Sequence, residues 1–410
     1  MIDAAAAARY NVRPLLPGPE DALRDEVLRL GLPAERLTAL ATHGTVEALA
    51  VQGLSSDQTR VLERALQPRG GVVLSDADGR NALLLAPLMA MGELPAALAQ
   101  WSETAETLGL AIGDVLMARA APPPPLHAGT HVLDLSSRTL VMGILNVTPD
   151  SFAGDALQSD VGAVVERARA FVGAGADVLD IGGESTRPNA EAVDATEEMA
   201  RVLPALRAVC AEVDVPVSVD TRKAEVASAA ISEGAVIVND VWGLRGDPGM
   251  VDVVAANPHV ALIAIHNQRG TEYGDLMTDI CAALRESVRI AQTRGVSAER
   301  IVVDPGFGFA KTAAQNLELM RRLRELRGLG RPILIGPSRK HTIGAILGGL
   351  PPAERVEGTL ALLALAVEAG VSMVRVHDVA AAVRAVRVAD AVVRGTPPDI
   401  AALPAPGRTG

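Results

Sequence analysis

Eight short apolar runs rich in β-branched residues recur in the second part of this chain. They cover residues 140–145, 178–181, 217–219, 236–238, 262–265, 301–303, 333–335 and 373–376. Each ends in a polar or glycine-bearing cluster and is followed by a stretch with helical spacing. Continuous apolar strands that alternate with helices belong in a parallel sheet buried on both faces. Eight such units in about 270 residues predict an α/β fold, a (β/α)8 TIM barrel. An open doubly wound sheet is the alternative. It would place its ligand at one switch point and leave most strand ends without chemistry.

The strand ends here are chemically rich. Asn146, residues 182–186, Asp220, Asn239 with Asp240, His266, Asp304, residues 338–340 and His377 follow the eight runs in turn. In a barrel these positions form a ring at the C-terminal mouth, where active sites sit. With a side-chain period of two, Ser218 and Asp220 share the inner face, as do Val302 and Asp304, and Arg375 and His377. Two carboxylates beside Asn239 can accept hydrogen bonds from a ring that carries several N–H groups. A helix N-cap is the plainer role for either Asp alone, since Thr221 and Pro305 follow them.

An inward arginine needs an anionic partner. Arg375 and His377 beside a helix N-terminus suit a phosphate or pyrophosphate. A structural pair of Arg375 with Asp378 or Asp304 is the alternative. Ser338 has the place of an N-cap, and Lys340 falls in the first turn of the helix after it. A cation there opposes the helix dipole, so contact with a substrate is expected. Asn146 can bind a metal or a phosphate oxygen. The loop after it holds Asp150, Phe152, Gly154 and Asp155, a composition that suits a lid, and Thr186 and Arg187 stand across the mouth as partners. Three of the four phenylalanines, Phe152, Phe307 and Phe309, lie in mouth loops, an arrangement that favours stacking on a flat ligand.

Composition narrows the classes. Apolar residues make up 49% and charged residues 21% of 410, enough for a large core and too apolar for a disordered chain. No apolar run reaches the roughly 20 residues of a membrane span. The N-terminus lacks a basic segment before an apolar core, so no signal peptide is expected. The net charge is −11, with acidity spread along the chain, which argues against nucleic acid as a partner. Cys210 and Cys281 are isolated, which excludes a disulfide framework, fits a cytoplasmic location, and favours two small buried apolar side chains. Only Lys223, Lys311 and Lys340 are lysines, all after strand ends, in a chain that otherwise uses arginine. A compact ammonium on a flexible stem does what a planar guanidinium cannot.

The four-proline run at 122–125 marks a boundary. We expect a small α/β domain over 1–121, a Pro-rich linker over 122–130, the barrel over 131–395 and a frayed tail over 396–410. In the first domain, 21–31, 56–65 and 94–117 have helical spacing, and 46–51 and 82–85 suit strands. No catalytic constellation is found there, and His43 reads as a surface histidine.

The strings MGILNVTPDSF (142–152), DIGGESTRP (180–188), SVDTRK (218–223), VND (238–240), DPGFGF (304–309), SRK (338–340) and RVHD (375–378) resemble the dihydropteroate synthase family, in the same order. The resemblance implies a barrel that condenses 6-hydroxymethyl-7,8-dihydropterin pyrophosphate with p-aminobenzoate. It implies that Asp220, Asn239, Asp304 and Lys340 hold the pterin. It gives Asn146, Arg375 and His377 the pyrophosphate, with Mg2+ at Asn146. It lines the aminobenzoate slot with Thr186, Pro188, Ser338 and Lys340, and Arg187 and Phe309 are counted with the substrate-binding residues. A homodimer is also implied, and the helical stretches 354–369 and 379–393 have apolar faces that permit one.

Four positions depart from the family pattern. The first lid reads Asp-Ser-Phe-Ala-Gly-Asp-Ala and lacks the usual paired glycines. Asn189 stands where glycine commonly follows Pro188. Residues 265–267 read Ile-His-Asn in place of Met-His-Met, and Pro337 precedes Ser338. Residues 1–127 lie outside the family's common core.

Overall fold

A computed structural model describes residues 13–15, 31, 47–147, 160–184 and 193–395. The chain divides into two compact units.

The first unit comprises Met1–Pro122 together with Glu272–Thr293 and Arg321–Arg331. Its four strands, β1 (Arg13–Leu15), β2 (Glu47–Gln52), β3 (Val72–Ser75) and β4 (Asn81–Ala86), form an antiparallel sheet in the order β1-β2-β4-β3. Ser55 starts the helix Ser56–Leu66 with a capping box, exchanging side-chain and backbone bonds with Gln58. Leu49, Val51, Leu62, Leu66, Leu84, Met91, Leu94, Leu108 and Ile112 fill the core. The single helix expected over 94–117 is two, Leu88–Leu98 and Glu103–Ala120. Ser102 causes the break: its hydroxyl accepts from the Ala105 amide and caps the second helix. Strand β3 was not expected, because its alternation is short. The expected helix at 21–30 and His43 lie outside the described residues. The unit also holds the helix Leu276–Thr293, which follows the fifth barrel strand in chain order.

The second unit begins with a hairpin, β5 (Leu126–Ala128) and β6 (His131–Leu133), in residues expected to be linker in part. Its cause is apolar. Leu126, Ala128 and Leu135 are fully buried against Leu140, Val178, Ile237, Ala261 and Met373, which lie at the beginnings of the barrel strands. The Gly129 amide also donates to the His259 carbonyl at 2.7 Å. The hairpin therefore plugs the N-terminal end.

Eight parallel strands follow: β7 (Leu140–Asn146), β8 (Val178–Gly182), β9 (Val217–Asp220), β10 (Ile237–Asp240), β11 (Ala261–Ile265), β12 (Ile301–Asp304), β13 (Leu334–Ile335) and β14 (Met373–Val376). Their order is β12-β11-β10-β9-β8-β7-β14-β13, and a parallel bridge from Val303 to Ile333 joins the two ends. The eight apolar runs are these strands, and the fold is the expected (β/α)8 barrel. Val178, Ile237, Ile263, Val302, Leu334 and Met373 point inward as an apolar floor.

Leu126→Ala should lower the urea midpoint of the barrel's unfolding transition by an amount equivalent to about 2–4 kcal/mol, because the side chain is fully buried at the plugged end. Equilibrium denaturation followed by circular dichroism measures it.

Candidate active site

Above the apolar floor, the next inward positions are polar. Asp180 and Ser218 face each other in register on β8 and β9, and Asp220 pairs in register with Asn239 on β10. Arg375 comes from β14, two strands away from β8 in the ring. Its Nε donates to Asp180 Oδ2 at 2.6 Å, and its Nη2 donates to Asp220 Oδ2 at 2.7 Å. Arg375 is thus paired, but with neither Asp378 nor Asp304. Asp378 is held instead by Arg339, whose Nε is 2.8 Å from Oδ2. Asn239 Nδ2 donates to Asp180 Oδ2 at 3.1 Å.

Asp304 ends β12 and is 4% exposed. Its Oδ1 accepts from the Gly306 amide at 2.6 Å. Gly306 adopts φ +71°, and a Cβ there would lie 1.9 Å from the His266 carbonyl oxygen, so only glycine lets this loop turn. Two residues on, a Cβ at Gly308 would lie 2.3 Å from Lys340 Cδ. That gap lets the lysine stem pass. Lys340 Nζ donates to the Phe307 carbonyl at 2.7 Å and sits 3.8 Å from the centre of the Phe309 ring. Lys340 is the N-cap residue of the helix His341–Ile346 and does not lie in its first turn as expected.

Ser338 is no N-cap. Its hydroxyl bonds to His377 Nδ1 at 3.0 Å and accepts from the His377 amide at 3.2 Å. The side chain therefore joins the ends of β13 and β14, because Arg339, at φ +57°, turns the chain before the helix starts. Phe307 is buried in the core, which removes it from ligand stacking, whereas Phe309 is half-buried. Phe152, Thr186, Arg187 and Pro188 lie outside the described residues. Asn146 closes β7 in register with Gly182.

The other two lysines also end strands. Lys223 pairs with Glu184, at 2.9 Å, and with Glu198, and Arg222 pairs with Glu184 at 2.9 Å. These ties fix the root of the loop after β8. Lys311 Nζ lies 3.1 Å from His266 Nδ1 and donates to the Gly306 carbonyl at 3.1 Å. It stitches the turn after β12 to the end of β11. Sequence reasoning missed Asp180, although a carboxylate inside the run Val-Leu-Asp-Ile, at inward parity with Gly182, was a readable signal.

Charges in this interior are displaced from their ordinary equilibria. Burial lifts the Asp220 carboxyl to about 7, against the pull of Arg375 and with the help of Asp180. Burial likewise lifts Asp304 to about 6, against the Gly306 amide and Lys340. It lowers Lys340 to about 8 and Lys311 to about 7. Burial opposes the charge on Arg375, but Asp180 and Asp220 more than offset it.

A layer of two carboxylates, an amide, a lysine and an arginine, over an apolar floor, suits a polar heterocycle with N–H donors and an attached anion. The chain belongs to the pterin-binding enzyme family, whose profile matches residues 142–377. Within that family it is similar to the dihydropteroate synthases. The Bacillus subtilis enzyme is 45% identical over 268 residues, covering 65% of this chain and 93% of the relative. Among solved structures, the Xanthomonas albilineans dihydropteroate synthase with 4-aminobenzoic acid is 41% identical with a TM-score of 0.63, covering 69% of this chain and all of that one. The Burkholderia cenocepacia dihydropteroate synthase complexed with 7,8-dihydropteroate is 44% identical with a TM-score of 0.60, covering 66% and 97%.

The carboxyl shift has a stability consequence. Asp304 titrates near 4 when unfolded and near 6 when folded, so its contribution is complete below about 4 and is lost as pH rises through 6. Lys311 and Lys340, lowered in the fold, act with the opposite sign above about pH 7. Between pH 4.5 and 6.5, the melting temperature of Asp304→Asn should therefore fall less steeply than that of the parent chain in the absence of ligand. Scanning calorimetry across that range tests it.

Proposed function

We infer that this chain carries out the dihydropteroate synthase reaction. The observation that carries the reading is the pair of buried carboxylates, Asp220 and Asp304, at one mouth with Asn239, Lys340 and Arg375. In the reaction, the amine of p-aminobenzoate attacks the exocyclic methylene of the pterin. A C–N bond forms, the C–O bond to pyrophosphate breaks, and the amine nitrogen loses a proton.

Asp220 and Asp304 accept from ring N–H groups of the pterin, with Asn239 beside them. Their raised pKa values mean that N–H donors and a developing positive charge on the ring relieve them, which favours the transition state. Lys340 donates to the ring's acceptor edge. Arg375 and His377 receive the pyrophosphate, and Ser338 holds the imidazole through Nδ1. The Phe309 face borders the aminobenzoate slot, for which Thr186, Arg187 and Pro188 are the further proposed lining residues. The incoming aromatic amine is already neutral at pH 7, so no base is needed before attack.

Asn146 is the proposed protein ligand for Mg2+. Among the described residues, no group of three His, Cys, Asp or Glu could hold a metal. A single amide oxygen still fits an ion that keeps several waters and takes its remaining oxygens from a pyrophosphate. When bound, Mg2+ would neutralise charge on the leaving group.

A homodimer is the proposed assembly. Leu365, Val388 and Val392 are exposed on the helices Val356–Glu368 and Val379–Arg394, which pack together and offer a face to a second copy. No described helix is long and apolar enough to cross a membrane. Together with the absence of a disulfide at Cys210 and Cys281, this supports a cytoplasmic place.

Purified protein with Mg2+, pterin pyrophosphate and p-aminobenzoate should release pyrophosphate only when the amine is present. Lys340→Ala should lower kcat/KM for the pterin substrate at least about 100-fold. Pterin binding without release would overturn the synthase reading. Val388→Asp with Val392→Asp should convert the dimer to monomer in sedimentation velocity, and a parent chain that sediments as a monomer would refute the dimer.

A further inference from the structure

Asp180 has no assigned part in the reaction, yet it is the centre of the network. It is completely buried, and its Oδ2 receives both Arg375 Nε, at 2.6 Å, and Asn239 Nδ2, at 3.1 Å. Its Oδ1 is buried without a partner among the described residues, as is Asn239 Oδ1. A carboxylate in that state is costly unless the fold needs its charge.

We propose that Asp180 is a positioning residue that fixes Arg375 and Asn239 for the pterin substrate. A carboxylate only accepts, so it dictates which end of the Asn239 carboxamide turns toward it. The N–H side faces Asp180, which leaves Oδ1 to meet a donor of the heterocycle. Oδ1 is the atom with no partner among the described residues. The same oxygen of Asp180 anchors the Nε side of the guanidinium, while Asp220 takes Nη2. Arg375 is thereby held across the barrel interior, its charge balanced from below. The anchoring reaches the pterin ring through Asn239 and the pyrophosphate through Arg375, and not the aminobenzoate. This inference rests on the synthase reading.

Asp180→Asn tests it, because the amide keeps the shape but presents either a donor or an acceptor and removes the charge. The variant should raise the KM for pterin pyrophosphate about 10-fold or more and weaken 6-hydroxymethylpterin in calorimetry similarly. The KM for p-aminobenzoate should stay within about 2-fold. Asp180→Glu, which keeps charge and acceptor, should recover part of the loss. Ser218→Ala, at the register neighbour whose buried hydroxyl has no partner among the described residues, should stay within about 2-fold throughout. Unchanged pterin KM in Asp180→Asn overturns the proposal, as does an equal loss for both substrates with a lowered melting temperature.

If Asp180→Asn does not fold, a crystal structure of the parent chain with 6-hydroxymethylpterin decides. Asp180 bonded to Arg375 and Asn239, with a ligand N–H on Asn239 Oδ1, supports positioning. Asp180 in direct contact with the ligand, or released from both partners, overturns it. A parent chain that neither binds 6-hydroxymethylpterin nor releases pyrophosphate would refute the synthase reading itself, and the proposal with it.

Discussion

A guanidinium inside a barrel sets the terms for everything around it. Arg375 points from β14 toward the interior, and a charge there without counterions would cost several kcal/mol. Asp180 and Asp220 answer it from β8 and β9, reaching past β7. One cation shared by two carboxylates leaves an excess of negative charge, and burial raises Asp220 accordingly. Beneath this layer, Ile237, Ile263, Val302 and Met373 exclude water and keep the local dielectric low. The apolar floor and the polar layer therefore depend on each other. A wetter floor would screen the ion pairs, and an uncharged layer would leave nothing to read a polar ring.

The second layer of control is steric. Lys340 reaches its place because Gly308 leaves room for its stem, and Gly306 lets the loop bend against the His266 carbonyl. A guanidinium is planar and wide, and would not thread the same gap. This gives a physical reason for lysine in a chain that otherwise uses arginine. Lys311 shows the same economy of size, placing one ammonium between His266 and two loop carbonyls.

Much of this was legible in the sequence. Continuous apolar runs announced a parallel barrel, and period-two parity turned Asp220, Asp304 and Arg375 inward, because strand side chains alternate strictly. Pairing across the barrel was not legible. Nothing local distinguishes Asp180 or Asp220 from Asp378 as the partner of Arg375, since the choice depends on which strands face each other through the interior. Ser338 and Lys340 failed for a different reason. A left-handed turn at Arg339 shifted the helix start by two residues, and a non-glycine residue gives little warning of that conformation. The hairpin at 126–133 was hidden by its length, because strands of three residues carry almost no periodicity.

The distribution of satisfied and unsatisfied groups separates scaffold from site. Outside the barrel interior, Glu184 is matched by Arg222 and Lys223, and Arg339 by Asp378. Those contacts hold loop roots, where Glu198 Oε1, beside Lys223, is buried with no partner among the described residues. Inside, Asp180 Oδ1, Asn239 Oδ1 and Ser218 Oγ are buried on adjacent strands with no partner among the described residues. Native interiors rarely tolerate such a cluster, because each unpaired buried group costs about 1–3 kcal/mol. Asp220 and Asp304, raised by burial, add carboxylates that are incompletely solvated as well. A ligand rich in N–H groups relieves Asn239 Oδ1, Asp220 and Asp304 on binding, whereas an apolar ring of the same shape would leave those penalties in place. Selectivity for a donor-bearing heterocycle thus follows from what the barrel leaves unpaired as much as from the contacts it makes.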